Sequence, residues 1–357
     1  MAKLNIVLAD SDELFLNHLT NYLLEKINTF EVYSFTTKES LVRFIEDKSN
    51  KIDIIAFSED LMDGAITLAG APVKVLLSDG SYSEVNDFKS INKYQKAEKF
   101  VSGLLLLYAE ATGRVEAVTH GDKNTKIVGF YSPVGGSGKT VLSVAAACAL
   151  ARRGKRVFYL NAEKINSTAS VLNRAESGNM SDIYLNAKTK GANIGLRIMA
   201  NKYVDMNTNI SYINPAESSL EINELTSAEF KKILKEFETL GEFDVIIVDF
   251  DSEFNKDKID VLSAVDKIFV PFTGDSVSVS KIDLFMKELE MYDELSDLYP
   301  KINLVLNKAA NRNNPPISAN VDIKASIGLS TVFGDIGSIL NSGESIVSVM
   351  SMITGNI

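Results

Sequence analysis

The chain has 357 residues, 45% of them hydrophobic and 24% charged, with a formal net charge of −10. That length exceeds what one small core organises and points to two globular domains. The acidic balance argues against a general nucleic-acid binder, and the single cysteine, Cys148, excludes an internal disulfide.

Read in order, Met1 to Asp10 holds too short an apolar run for a signal peptide, because charge arrives with Asp10 and Asp12. Leu4 to Ala9 is expected to be a buried strand. Leu14, Leu16, Leu19, Leu23 and Leu24 follow at helical spacing. Strand and helix patterns then alternate: Glu31 to Phe35 extended, Lys38 to Asp47 helical, Asp53 to Phe57 extended. Ile66 to Leu68 gives little shape, Val73 to Leu77 and Ser90 to Tyr94 read as strands, and Ala97 to Ala111 as a helix. Five strands alternating with helices imply a doubly wound parallel sheet over residues 1–112, with any site at the carboxyl ends of its strands. The apolar run Gly103 to Ala109 is far short of the roughly 20 residues that span a bilayer. Leu104 to Leu107 are expected to offer an apolar face to another subunit or partner.

Residues 113–125 lack periodicity and collect turn residues, so they are expected to link two domains. The only histidines, His18 and His120, sit in separate domains, so a histidine metal site is not expected.

The stretch Gly129 to Thr140 carries the strongest chemical signal in the chain. An apolar strand, Ile127 to Tyr131, runs into Ser132-Pro133-Val134-Gly135-Gly136-Ser137-Gly138-Lys139-Thr140-Val141, and a helix is expected from Thr140 through Arg153. Gly135, Gly136 and Gly138 let the backbone approach a polyphosphate, so that Ser137, Lys139, Thr140 and Val141 present N–H groups at a helix N-terminus. Lys139 is expected to neutralise the β- and γ-phosphates, and the Thr140 hydroxyl to hold Mg²⁺. The usual phosphate loop has glycine where this chain has Pro133. Arg156 to Leu160 is a second buried strand, ending in Asn161-Ala162-Glu163. Phe243 to Asp251 is a third, and it delivers Asp249 where a phosphate-loop site completes its Mg²⁺ shell. Lys267 to Pro271 and Ile302 to Leu306 add two more, with Asn307 and Lys308 after the last. Thr226 to Leu240 is an amphipathic helix. Long apolar strands of this kind imply a mostly parallel sheet covered on both faces across residues 126–357. Cys148, in an alanine-rich helix, is expected in the core, which suits a reducing cytoplasm.

Two family resemblances rest on these residues. The order of elements in residues 1–112 resembles a response-regulator receiver domain, a flavodoxin-like fold. Asp10 falls on the first of that family's two adjacent acids, but Ser11 occupies the second place. Ser58 stands where the phosphoacceptor aspartate ends the third strand; Ser78 and Lys93 match the family's hydroxyl and lysine positions. The resemblance implies a pseudo-receiver that keeps the scaffold without the acyl-phosphate chemistry. An alignment that makes Glu59 or Asp60 the acceptor moves it off the strand end.

Residues 126–350 resemble the MinD/ParA group of ATPases, which implies ATP and Mg²⁺ as cofactors and a sandwich homodimer. On that resemblance Asp249 is the Walker B acid, Asn307 recognises adenine and Glu163 stands for the water-orienting aspartate. Asn161 replaces the preceding acid, and Val134 the lysine that crosses to the other subunit. Catalysis, if present, then rests on Lys139, Glu163 and Asp249, and metal binding on Thr140 and Asp249. With Val134 in place of that lysine, the missing cation implies slow hydrolysis. Residues 325–357 hold no Lys or Arg, which argues against DNA binding or a basic membrane-binding tail there. A degenerate receiver followed by such an ATPase is similar to the TadZ/CpaE group. That implies a cytoplasmic factor that recruits Tad (Flp) pilus assembly proteins at the cell pole.

Overall fold

A computed structural model of the chain describes residues 4–26, 30–79, 88–95, 97–112, 125–170, 172, 178–291, 297–309, 317, 322–328, 350 and 354–355. It divides into two compact units, Met1–His120 and Gly121–Ile357. The expected linker residues 113–124, His120, and most of the Lys-free and Arg-free stretch lie outside the described residues.

The first unit is a five-stranded, wholly parallel sheet in the flavodoxin-like order β2-β1-β3-β4-β5. Its strands are β1 (Leu4–Ala9), β2 (Phe30–Phe35), β3 (Ile54–Ser58), β4 (Val73–Ser78) and β5 (Lys89–Asn92). The central strand β3 is buried from end to end, as an unbroken Ile-Ile-Ala-Phe run requires when helices cover both faces. The helices are α1 (Glu13–Lys26), α2 (Lys38–Glu46), α3 (Gly64–Leu68) and α4 (Ala97–Thr112). Asp63 caps the short α3, its carboxylate accepting from the Ala65 N–H; that cap lends shape to a stretch whose hydrophobic pattern showed none. On α4, Leu104 and Leu105 are buried and Leu107 is half-buried. The expectation of a docking face at Leu104 to Leu107 is therefore corrected for these residues.

The second unit carries an eight-stranded sheet in the order β13-β12-β11-β6-β10-β7-β9-β8, parallel except for the β8/β9 pair at one edge. The strands are β6 (Lys126–Phe130), β7 (Val157–Ala162), β8 (Tyr203–Val204), β9 (Ile210–Tyr212), β10 (Val245–Phe250), β11 (Lys267–Phe272), β12 (Ile302–Ala309) and β13 (Ile323–Gly328). Helix α5 (Lys139–Arg152) follows β6 and is buried on nearly all sides, Cys148 included. Small residues, Ala145 to Ala147 and Ala149, let it lie close against the sheet, and burial pushes the Cys148 thiol up to about 11. Helices α6 (Met180–Lys188), α7 (Ile194–Asn201), α8 (Ser227–Leu240), α9 (Lys256–Ser263) and α10 (Ser276–Met291) complete the described helices. In α8 the side chains of Thr226 and Glu229 close a reciprocal capping box, and Gly241 ends the helix at φ +58°. Its buried stripe, Phe230, Ile233, Leu234, Phe237 and Leu240, packs Phe237 on Phe158 of β7 at 4.5 Å between ring centroids. This anchors the sheet whose strand ends form the site.

Candidate nucleotide-binding site

The carboxyl ends of β6, β10, β7 and β12 converge on one loop. β6 is apolar until Phe130, then the chain turns through residues 131–138 into α5. Two glycines in that turn take left-handed backbone, Gly136 at φ +70° and Gly138 at φ +92°. A Cβ on Gly138 would lie 2.4 Å from Nδ2 of Asn307, so only glycine allows the strand end and the loop to approach so closely. Asn307 donates from Nδ2 to the Ser137 carbonyl at 2.8 Å, and its Oδ1 accepts from the Lys308 N–H at 2.9 Å.

Asp249 leaves β10 fully buried, opposite Phe130 on β6 and Asn161 on β7. Tyr159 donates its hydroxyl to Asp249 Oδ2 at 3.0 Å, while Oδ1 has no partner among the described residues. Burial pushes the Asp249 carboxyl up to about 7, with Glu163 adding to it and Thr140, Tyr159 and Lys139 pulling the other way. Lys139 is almost wholly buried, and its Nζ donates to Ser252 Oγ at 2.6 Å. Burial lowers its pKa, only partly countered by the fields of Asp249, Glu163 and Asp251. The Ser137 hydroxyl is also buried without a partner.

Glu163 is brought to the same place. Its Oε1 lies 3.4 Å from Thr140 Oγ1, and its Oε2 accepts from Ser167 Oγ at 2.6 Å and Asn161 Nδ2 at 3.2 Å. Its own N–H bonds Asn161 Oδ1 at 2.9 Å, so the loop after β7 is tied into a small polar knot. Val134 is buried, and its N–H meets Ser132 Oγ at 3.1 Å. Lys139, Thr140, Glu163, Asp249 and Asn307 thus gather at one loop. Reading by motif missed Tyr159, Ser167 and Ser252. The last sits three residues beyond Asp249, a signal that becomes legible once that acid is assigned. A cavity of about 150 Å³ adjoins these loops, with Lys164, Phe250, Asp251 and Lys258 in its wall.

These residues fit a polyphosphate with a divalent cation. Two orphaned polar atoms, Ser137 Oγ and Asp249 Oδ1, sit at a glycine-lined loop opening a helix N-terminus, with a buried ammonium beside them. No cluster of three His, Cys, Asp or Glu side chains able to hold a metal occurs among the described residues. Mg²⁺ binds through one or two protein oxygens plus phosphates and water, and Thr140 and Asp249 could supply those oxygens.

Comparison with known proteins agrees with this geometry. Residues 125–302 match a family described as AAA domain. MinD from Pyrococcus horikoshii OT3, complexed with Mg-ADP, is 14% identical at a TM-score of 0.51, over 64% of this chain and 96% of that one. The second unit shares the fold of this MinD structure. MinD from Pyrococcus furiosus is similar at 16% identity and a TM-score of 0.50, covering 65% of this chain and 99% of its own. The MinC:MinD complex of Aquifex aeolicus gives 16% identity and 0.50, over 64% and 96% respectively. No curated protein sequence matches the chain. Among the described residues no helix is long and apolar enough to cross a membrane.

The first unit assembles a second, smaller group of polar residues at its strand ends. Asp10, after β1, is buried and pairs with Lys93 at 3.0 Å. Lys93 also lies over the rings of Phe15 and Tyr94, and its N–H donates to the Ser78 carbonyl at 2.8 Å. Burial alone would lower the Lys93 pKa, but the Asp10 carboxylate outweighs it and raises the value. Ser58 ends β3, in the place expected for a lost acceptor. A single 3-10 turn, Glu59–Leu61, follows directly and contains Asp60. Burial alone would raise Asp60; the Ser11 hydroxyl and the Lys93 charge prevail and hold it below the usual carboxylate range.

Proposed function

We propose that this protein binds ATP with Mg²⁺ in the second unit, hydrolyses it slowly, and uses the bound state to hold a homodimer that recruits partner proteins. The observation that carries the reading is the cradle itself: Gly138 pressed against Asn307, with Ser137 Oγ and Asp249 Oδ1 buried and unpartnered beside Lys139. Lys139 would leave Ser252 for the phosphates, whose charge returns its pKa toward the ordinary value. Thr140 and Asp249 would hold Mg²⁺, which neutralises phosphate oxygens when bound. Glu163 is restrained by Ser167 and Asn161, and Val134 supplies no cation; both features favour slow turnover.

A role in localisation is supported by the MinD/ParA fold and by the pairing of that fold with a flavodoxin-like unit at 1–112. The pairing is similar to the TadZ/CpaE group, and on that ground the recruited partners are Tad (Flp) pilus assembly proteins, at the cell pole. Light scattering with and without Mg-ATP tests the dimer, together with turnover measured at saturating ATP. A nucleotide-dependent doubling of mass with turnover well below one per second supports the reading. A mass indifferent to ATP, or turnover of an ordinary motor ATPase, overturns it.

A second reading, a signalling regulator whose first unit takes a phosphoryl group, is favoured by an acid, Asp60, in the turn that directly follows β3 and within the field of Lys93. Incubation with acetyl phosphate separates the two. A labelled carboxylate at Asp60, absent in Asp60→Asn, establishes regulation; an unlabelled chain leaves the first unit as a binding module.

A further inference from the structure

Strand β12 should alternate its side chains between the two faces of the sheet, as every regular strand does. At its end it does not. The register against β13 runs Leu306 opposite Ser326 and then Ala309 opposite Gly328, so β12 spends one residue more than its neighbour across Asn307 and Lys308. Lys308 takes up the surplus with a left-handed backbone, φ +56°, which a lysine rarely adopts. As a result two consecutive side chains reach the same target. Asn307 Nδ2 donates to the Ser137 carbonyl at 2.8 Å, and Lys308 Nζ donates to the Gly136 carbonyl at 2.8 Å.

We propose that Lys308 is a positioning residue of the phosphate loop, which with Asn307 clamps two successive carbonyls outward so that the loop's N–H groups face the phosphates. The inference rests on the reading of this loop as a polyphosphate site. Three details argue that the arrangement is built. The bulge is what sends both side chains one way. Gly136 and Gly138, the two loop residues with positive φ, flank the clamped peptide units and leave them free to flip without such a tie. A charged donor on a carbonyl is also stronger than a neutral one, so the ammonium suits a solvent-exposed clamp. The clamp acts on the cradle and not on the base, so its contribution is shared by every ligand that places a diphosphate there.

The test uses the full chain and three probes, ATP, ADP and inorganic pyrophosphate, each titrated calorimetrically with Mg²⁺. Lys308→Met, which keeps the stem and removes the donor, is expected to weaken all three by about tenfold and by the same factor. Lys308→Arg restores binding to within about threefold. Lys308→Gly relieves the left-handed backbone, so it should melt no lower than the wild type yet bind as poorly as Lys308→Met. A merely structural lysine would not part stability from affinity in this way. Wild-type affinities in Lys308→Met overturn the proposal, as does a loss confined to ATP and ADP with pyrophosphate unchanged, which would place Lys308 on the base. If the wild type binds none of the three probes, the polyphosphate reading falls first and the clamp falls with it.

Discussion

Both units end parallel strands on a buried aspartate with a lysine nearby, yet the two sites are in opposite electrostatic states. In the first, Lys93 lies 3.0 Å from Asp10 and the pair neutralises itself. In the second, Lys139 bonds the neutral Ser252 hydroxyl and Asp249 keeps an oxygen without a partner. A satisfied buried pair is a structural element; an unsatisfied acid beside a buried ammonium demands a ligand that supplies both charges. Burial alone does not distinguish the two sites. The distribution of hydrogen bonds does.

The largest expected effect sharpens this contrast in the second unit. Asp249, pushed up to about 7 from 3.8, keeps a proton in the folded chain that the unfolded chain has lost between those values. With Mg²⁺ and nucleotide absent, stability therefore falls as pH rises from about 4 to about 7, by up to roughly 4 kcal/mol, because each step of one in pH across that window costs about 1.4 kcal/mol. Asp249→Asn removes that cost, and should be more stable than the wild type at pH 8 by about 2–4 kcal/mol while losing Mg-nucleotide binding. Urea denaturation at pH 5 and pH 8 in EDTA reads the sign; equal wild-type stability at both values breaks the contrast.

The first unit predicts the reverse. Asp10→Asn leaves the Lys93 ammonium without its carboxylate and should cost about 2–4 kcal/mol at pH 7. The double variant Asp10→Asn, Lys93→Met should recover much of that loss, and neither should change ATP affinity. Denaturation and titration of the same samples check both statements. Next in size, Gly138→Ala forces a side chain into φ +92° and against Asn307; it is expected to cost about 1–3 kcal/mol and to abolish nucleotide binding. Smallest is Cys148. Burial holds its thiol near 11, so in the native protein at pH 8 it should react with iodoacetamide at least about tenfold more slowly than in urea.

The sequence was most informative where one physical demand dominated. Continuous apolar runs such as Val245 to Val248 could only be buried parallel strands, and the glycine, lysine and threonine of the loop carry their chemistry in their spacing. Short elements were silent. Tyr203–Val204 and Ile210–Tyr212 pair across an Asp205 turn too brief for a period to register, and α3 depends on the Asp63 cap more than on any apolar face. Of the site residues that escaped notice, Tyr159 on β7 and Lys308 on β12 act from other strands and become neighbours only when the sheet is assembled, while Ser252 acts from the loop just after Asp249. Asp60 was legible only as an acid displaced from the end of β3, and it lies in the 3-10 turn that follows that strand. At Lys308 the deciding feature is a backbone bulge, which no side-chain pattern announces.

The central claim is that the unsatisfied group in the second unit is a Mg-ATP site. Isothermal titration of Mg-ATP into the wild type and into Lys139→Ala tests it most directly. The account predicts micromolar or tighter binding, one ATP per chain, and a loss of at least about a hundredfold in the variant. A wild type that binds no ATP, or a Lys139→Ala variant that binds it equally well, would contradict it.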